Sequence, residues 1–169
     1  IGIRDPLGFR PLCLGKKDNA YFFASETCAL DLIGAEFVRE VLPGEIVICD
    51  SSGVNSYRFA TQKNYAQCAF EHVYFARPDS IVFGDTVHLV RENLGRVLAR
   101  EYPVQADCII GMPDSGTSAA LGFSKESGIP LEVGVIRNHY IGRTFIQPHQ
   151  ETREFNVRLK MNILKEVVR

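Results

Sequence analysis

Short apolar runs separated by turn residues dominate the first third of the chain, and this pattern predicts β-strands joined by tight turns. One hairpin is predicted around Lys17-Asp18-Asn19 and a second around Ser51-Ser52-Gly53. A helix is predicted over 26–33, and it ends at Gly34, a residue that favours a left-handed C-terminal cap. The strands of the two hairpins are predicted at 10–15 with 20–25 and at 45–50 with 54–59.

From about residue 84 the pattern changes to alternating helices and strands. A helix is predicted from about 85 to just before Pro103, followed by an apolar strand at 107–111 of the kind that is buried on both faces of a parallel sheet. A second helix over 117–127 ends at Gly128, and a strand follows at 131–136. This order predicts a right-handed βαβ unit. The polar stretch 60–64 is typical of a linker between the β-rich part and the α/β part.

Composition and charge exclude several classes of protein. The 169 residues are 46% hydrophobic and 23% charged, values that argue against a disordered or coiled-coil chain. Nineteen Lys and Arg residues balance 20 Asp and Glu residues, so no basic surface for nucleic acid is expected. No apolar run approaches the roughly 20 residues of a membrane-spanning helix. We therefore expect neither nucleic acid nor a membrane as a partner.

The cysteines indicate a reducing compartment, most simply the cytoplasm, with a plastid stroma as the alternative. Their number is odd, their spacing is irregular, and they contain no C-x-x-C pair, which argues against a disulfide framework or a zinc ribbon. Cys68 lies beside the aromatic residues of 70–75, and from composition alone Cys68, Tyr74 and Phe75 are typical of a hydrophobic core. The five cysteines are Cys13, Cys28, Cys49, Cys68 and Cys108.

Two segments could carry chemistry. Residues 112–116 (MPDSG) lie between a predicted strand and a predicted helix, where backbone N–H groups and the helix dipole attract anions. Asp114 and Ser115 offer oxygen ligands for Mg²⁺, and Gly116 lets the backbone approach a ligand. The alternative is an ordinary turn in which Ser or Thr caps the helix. Residues 137–144 could close over an anionic substrate or form a solvated basic loop, in which His139 is an acid–base group or a surface residue.

Longer motifs extend over essentially the whole chain: RDPLGFRPL at 4–12, ASET at 24–27 with ALD at 29–31, PGE at 43–45, FEHVYFARPDS at 70–80, PDSG at 113–116 and YIGRTFIQP at 140–148. In this order they resemble the amidophosphoribosyltransferase family. The resemblance implies the C-terminal part of an α+β glutaminase domain of the N-terminal-nucleophile hydrolase class at 1–62. It also implies the N-terminal part of an α/β type I phosphoribosyltransferase domain with a parallel sheet at 63–169, so that both domains are incomplete.

The resemblance implies the first committed step of purine synthesis de novo. In the family, ammonia derived from glutamine displaces pyrophosphate from 5-phosphoribosyl 1-pyrophosphate and gives 5-phosphoribosylamine. One alternative is a non-catalytic regulator of the same fold that senses phosphoribosyl pyrophosphate, although such regulators carry a basic DNA-binding extension that the near-zero net charge disfavours. A decayed structural homologue is a third alternative.

Site residues follow from the same resemblance. Substrate binding is expected from Asp114, Ser115, Gly116, Arg137, Tyr140 and Arg143, with 137–148 as a flap that orders over the substrate. Ser115 corresponds to a magnesium-associated position. Cys68 corresponds to the first ligand of a [4Fe-4S] cluster, whose other three cysteines would lie further downstream. His139 departs from the family, because many relatives have Arg there.

The family's catalytic cysteine is N-terminal, whereas this chain begins with Ile1, and the paired acidic residues of the transferase site are expected after Arg169. We therefore expect no catalytic residue in this chain and no activity of the 169 residues alone. The implied ligands are glutamine, phosphoribosyl pyrophosphate and feedback purine nucleotides. The implied assembly is a homodimer or a homotetramer.

Overall fold

The computed structural model describes residues 1–61, 64–142 and 149–168. They form two compact units, Ile1–Val90 and Arg91–Arg169. This division follows the density of contacts, whereas the boundary predicted at 62/63 separates two family domains and stays a prediction. Within the described ranges, no helix is both long enough and apolar enough to cross a bilayer.

Three small antiparallel sheets and one helix build the first unit. One sheet has the strand order β3-β2-β4, the second β1-β5-β6, and the third pairs β7 with β8. A π-helical turn at Glu71–Phe75 precedes β7. The elements are β1 (Gly2–Ile3), β2 (Cys13–Lys17), β3 (Ala20–Ala24), α1 (Thr27–Ile33), β4 (Glu36–Glu40), β5 (Glu45–Asp50), β6 (Gly53–Arg58), β7 (Ile81–Val82) and β8 (Asp85–Thr86).

Both predicted hairpins and the helix between them are confirmed. Asp18 adopts a φ of 51° in the first turn, and Gly34 ends α1 with a φ of 66°, the left-handed cap expected there. Strand β4 was not predicted. Its sequence lacks a clean apolar–polar alternation, because β4 is an edge strand and three of its five residues are exposed.

The core of the first unit contains a buried arginine. Leu14, Val41 and Val47 form one fully buried cluster. Arg4, only 3% exposed, donates hydrogen bonds from Nη1 to the carbonyl oxygen of Val41 at 2.6 Å and from Nε to that of Arg10 at 3.0 Å. Because a buried guanidinium must be paired, this arginine fixes the loops around it.

The second unit begins within a helix that starts in the first, α2 (Val87–Glu101). Strands β9 and β10 are parallel and flank α3, which confirms the predicted βαβ unit. β11 and β12 form a separate antiparallel pair. The remaining elements are β9 (Ile109–Ile110), α3 (Thr117–Ser127), β10 (Leu131–Glu132), β11 (Val135–Arg137), α4 (Gln150–Lys160), β12 (Met161–Ile163) and α5 (Lys165–Val168).

Two strand predictions are wrong in detail. Ile109 and Ile110 are half-buried rather than buried on both faces, because β9 pairs only with β10 among the described residues. The strand predicted over 131–136 is two strands interrupted near Gly134, where the chain passes very close to β9. A Cβ at Gly134 would lie 2.3 Å from Cδ1 of Ile110.

Helices α2 and α3 cross at two glycines. A Cβ at Gly95 would lie 1.9 Å from the carbonyl oxygen of Ala119, and a Cβ at Gly122 would lie 1.8 Å from that of Glu92. The Glu92 carboxylate also accepts hydrogen bonds from Lys125 Nζ at 3.0 Å and from Arg96 Nη2 at 2.8 Å, and these two cations lower its pKa. The helices therefore meet backbone to backbone and are joined by ion pairs at one side.

Candidate functional site

The loop at 112–116 follows the carboxyl end of β9 and leads into α3. The Gly116 N–H donates to the carbonyl oxygen of Met112 at 2.9 Å, and the peptide between Pro113 and Asp114 is cis. Gly116 itself occupies the N-cap position, and no side chain caps the helix. The Ser or Thr cap that the alternative of an ordinary turn assumed is therefore absent among the described residues.

Glycine is required at position 116 by the tightness of this loop. A Cβ there would lie 2.9 Å from the carbonyl oxygen and 3.0 Å from the nitrogen of Met112. The loop consequently folds back on its own backbone. The side chains of Asp114 and Ser115 are left exposed at the end of the strand.

Asp114 and Arg137 meet although they are 23 positions apart in the sequence. Nη1 of Arg137 donates to Oδ2 of Asp114 in an ion pair, and the two side chains are 30% and 59% exposed. Nε of Arg137 is buried without a hydrogen-bond partner among the described residues. Arg137 thus offers an anion a guanidinium that one carboxylate satisfies only in part.

A cavity of about 130 Å³ lies at the carboxyl ends of β9 and β10. In open α/β sheets this edge is where ligands bind. The cavity adjoins the loop through Pro113 and reaches the first residue of α3, Thr117. Its lining also includes Gly111, Leu131, Glu132 and Val135.

The predicted flap is described only as far as residue 142, so Arg143 and the rest of the flap to 148 lie outside the described residues. Tyr140 is 99% exposed, and its N–H donates to Oδ1 of Asn138 at 3.0 Å. Lys160 Nζ donates to the carbonyl oxygen of Gly142 at 2.9 Å. Asn138 and Lys160 were not predicted as site residues. The tendency of Asn to form turns could have indicated Asn138, but no local sequence signal indicates Lys160.

Ser115 suits the magnesium role that the resemblance implies. Mg²⁺ is usually held by one or two protein oxygens together with waters and substrate phosphates, and an exposed hydroxyl beside an anion site meets that requirement. The described residues contain no group of three or more His, Cys, Asp or Glu side chains that could hold a metal by themselves. A metal at Ser115 would therefore arrive with a phosphorylated ligand.

Cys68 lies in the first unit and is half-buried. Its N–H donates to the carbonyl oxygen of Phe9 at 3.1 Å, and Arg10 Nη1 lies 3.9 Å from its Sγ. Tyr74 and Phe75 are 64% and 53% exposed, so their prediction as core residues is wrong. Both side chains lie at the end of the π-helical turn, where little of the first unit covers them.

A parallel βαβ unit with a tight loop at its carboxyl edge defines this part of the chain as an α/β protein. No family model matches the chain. The amidophosphoribosyltransferase of Mycobacterium tuberculosis is 54% identical over 166 residues, which cover 98% of this chain and 31% of that protein. The enzyme of the same name from Archaeoglobus fulgidus is 50% identical over the entire chain and 37% of its own length.

A solved structure of the glutamine phosphoribosylpyrophosphate amidotransferase of B. subtilis, complexed with ADP and GMP, superimposes with a TM-score of 0.86 at 50% identity and covers 97% of this chain and 36% of that one. The chain thus spans about a third of the length of the relatives it matches. Over that shared segment, the chain is similar to the amidophosphoribosyltransferases.

Proposed function

We propose that this chain contributes the pyrophosphate-binding edge of an amidophosphoribosyltransferase. In the overall reaction, water cleaves the side-chain amide of glutamine to give glutamate and ammonia. The ammonia nitrogen forms a bond to C1 of phosphoribosyl pyrophosphate, and the bond from C1 to the pyrophosphate oxygen breaks. Pyrophosphate leaves with the electron pair, and the product is 5-phosphoribosylamine.

The observation that carries this proposal is the meeting of the 112–116 loop with Arg137 at the carboxyl edge of the parallel strands. A loop that is already folded needs no reorganisation to receive an anion, so its groups can stabilise the charge that builds on a leaving pyrophosphate. Arg137 supplies a fork of N–H donors matched to phosphate oxygens. The Asp114 carboxylate holds this fork in place before the ligand arrives.

Ser115 is our candidate for the protein ligand of Mg²⁺, and Tyr140 and Arg143 are our candidates for closing over the substrate. When bound, Mg²⁺ would neutralise charge on the pyrophosphate. For residues 1–62 we propose the glutaminase role, and we propose Cys68 as one ligand of a [4Fe-4S] cluster. A cluster would give a brown full-length protein, and Cys68→Ser would remove its absorption; a colourless, iron-free protein purified without oxygen would refute this part.

The assembly and its regulators are proposed on the same basis. The B. subtilis relative was solved with ADP and GMP, which supports purine nucleotides as feedback ligands here. We also propose a homo-oligomer, either a dimer or a tetramer. One relative, from Arabidopsis thaliana, is described as chloroplastic, which is in keeping with a plastid stroma as an alternative to the cytoplasm.

A chimera tests the proposal, because the segment is shared with an enzyme of known structure. This chain replaces the homologous segment of the B. subtilis relative, and formation of phosphoribosylamine is measured with ammonia or glutamine as the nitrogen source. We expect activity with both. We expect Arg137→Ala to raise the KM for phosphoribosyl pyrophosphate about 10-fold or more, since a charge-assisted hydrogen bond is worth about 1.5–3 kcal/mol.

Arg100→Ala is the matched control. Arg100 pairs with Glu126 at 3.0 Å, and its side chain is 58% exposed. The control should leave the KM within about 2-fold, because an exposed ion pair contributes little. An Arg137 variant with an unchanged KM, or an inactive chimera that is correctly folded, would contradict the proposed site.

A further inference from the structure

Glu26 directs its side chain away from the helix that it begins. It occupies the N-cap position of α1, yet among the described residues its side chain caps no backbone N–H there, and it meets the helix through the Cys28 thiol, whose Sγ lies 3.7 Å from its Oε2. Its Oε2 instead accepts hydrogen bonds from the N–H of Arg77 at 2.7 Å and from Oγ of Ser80 at 3.0 Å. Since Asp, Asn, Ser or Thr would cap α1 better, a glutamate here is explained by its bonds to the distant segment.

The next residue reinforces the same attachment. Oγ1 of Thr27 accepts a hydrogen bond from the N–H of Ile81 at 2.8 Å. Thr27 is 5% exposed and Ser80 is fully buried, so little water competes for these bonds. Two successive side chains at the start of α1 therefore hold residues 77–81, which we call the 77–81 turn.

The other side of the 77–81 turn carries the start of α2. The N–H of Val87 donates to the carbonyl oxygen of Ser80 at 2.9 Å, and the N–H of His88 donates to that of Pro78 at 2.8 Å. These are the first two N–H groups of α2, and the turn satisfies both of them. A movement of the turn would therefore change the place where α2 begins.

These bonds join two parts of the chain that are predicted to serve different reactions. Glu26 and Thr27 belong to the predicted glutaminase part, 1–62, and the turn and α2 belong to the predicted transferase part, 63–169. Along the chain, α2 leads to β9 and then to the 112–116 loop. Resting on the proposed function, we propose that Glu26 is a positioning residue that couples glutamine hydrolysis to the use of ammonia at the transferase site.

Glu26 acts through the 77–81 turn, which its carboxylate holds in place, and not through contact with substrate. With Glu26 present, the 77–81 turn has one position, and the start of α2 is fixed to the start of α1. Without it, the N–H of Arg77 and the Ser80 hydroxyl lose their acceptor, so the turn is free to shift. Ammonia released from glutamine is then passed less efficiently to the transferase site, whereas ammonia supplied from solvent does not depend on this attachment.

The experiment uses the chimera and compares Glu26→Ala with Glu26→Gln. Glutamate and phosphoribosylamine are both measured, and they form in equal amounts when ammonia is fully used. We expect Glu26→Ala to lower the glutamine-dependent rate by roughly 10- to 100-fold and to raise the glutamate-to-phosphoribosylamine ratio. Glu26→Gln should keep the ratio near that of the parent, because its amide oxygen can accept from the same two donors.

Ammonia-dependent synthesis separates coupling from folding and from the proposed function. We expect that rate to stay within about 2-fold in Glu26→Ala, and the milder Ser80→Ala should raise the ratio in the same direction. Glu36→Gln, which changes an exposed carboxylate on β4, is the control and should change neither quantity. Equal loss of both activities, or an unchanged ratio in Glu26→Ala, would refute the role of Glu26. A parent chimera that fails with ammonia would instead refute the proposed function.

Discussion

Replacing Gly122 with alanine tests the close crossing of α2 and α3 that supports the candidate site. The added Cβ would lie 1.8 Å from the carbonyl oxygen of Glu92, which is 1.6 Å closer than the 3.4 Å at which ordinary contact begins. The atom it meets belongs to helix backbone, so it cannot rotate away as a side-chain end could. The two helices must separate, and the ion pair between Glu92 and Lys125 must lengthen with them.

The expected loss in the free energy of unfolding is the difference between two opposing effects. Overpacking of this kind costs about 1–3 kcal/mol, and a clash with backbone belongs at the upper end or beyond it. Alanine has a higher helix propensity than glycine, and this difference stabilises the variant by up to about 1 kcal/mol. A net destabilisation of about 2 kcal/mol is therefore expected, and in a unit of this size it would lower the midpoint of thermal unfolding by roughly 10 °C.

Thermal unfolding of the chain, followed by far-ultraviolet circular dichroism, measures this shift. Gly142→Ala is the matched control, because no described residue lies within 4 Å of the Cβ it would add and the backbone there does not require glycine. Its midpoint should change by little. A Gly122→Ala variant that unfolds at or above the temperature of the parent would refute the close approach of the two helices.

Three further predictions concern the first unit. Burial acts to raise the pKa of Glu45, but hydrogen bonds from Arg39 and from the Leu42 N–H outweigh it and lower the pKa to about 2 from the ordinary 4.5. This carboxylate should contribute about 3 kcal/mol to the free energy of unfolding above pH 4.5, a contribution that is lost as the pH falls towards 2; acid titrations of the parent and Glu45→Gln should differ by that amount. Burial raises the pKa of Cys13 to about 11, so iodoacetamide at neutral pH should leave it unmodified in the native protein, and a native mass spectrum with Cys13 alkylated would contradict this. Arg4→Lys should lower the free energy of unfolding by about 2–4 kcal/mol in urea titrations, because an ammonium cannot reach the separate carbonyl oxygens that the guanidinium holds; an unchanged midpoint would count against this reasoning.

Local sequence patterns were sufficient to predict the elements whose structure depends on residues close together in the sequence. The turn at Asp18 and the caps at Gly34 and Gly128 depend on backbone conformations that few residues adopt, so the residue type identifies the conformation. The βαβ unit was predictable for a related reason. Its strands and its helix differ in hydrophobic period, and the chirality of the crossover leaves few arrangements.

Sequence patterns gave wrong predictions of burial where the burial of a residue depends on distant parts of the chain. The apolar sequence around Ile109 indicated a strand covered on both faces, but among the described residues only β10 lies beside it. Tyr74 and Phe75 were assigned to the core by their size, although the first unit leaves both of them largely exposed. In each case the residue type sets a tendency to be buried, whereas the amount of burial depends on which surfaces are present.

The candidate site could be predicted from the sequence, whereas the proposed coupling residue could not. The 112–116 loop could be singled out because strand, loop and helix follow one another directly, so that position in the sequence indicates position on the sheet. Glu26 could not, since its partners Arg77 and Ser80 lie 51 and 54 positions away. Glu26 is identified by a residue type that does not suit its position, because it is a glutamate at an N-cap and its side chain leaves the helix uncapped. Such a mismatch becomes visible only when the partners are known, and it is the kind of local exception that tends to mark residues serving a function rather than their own element.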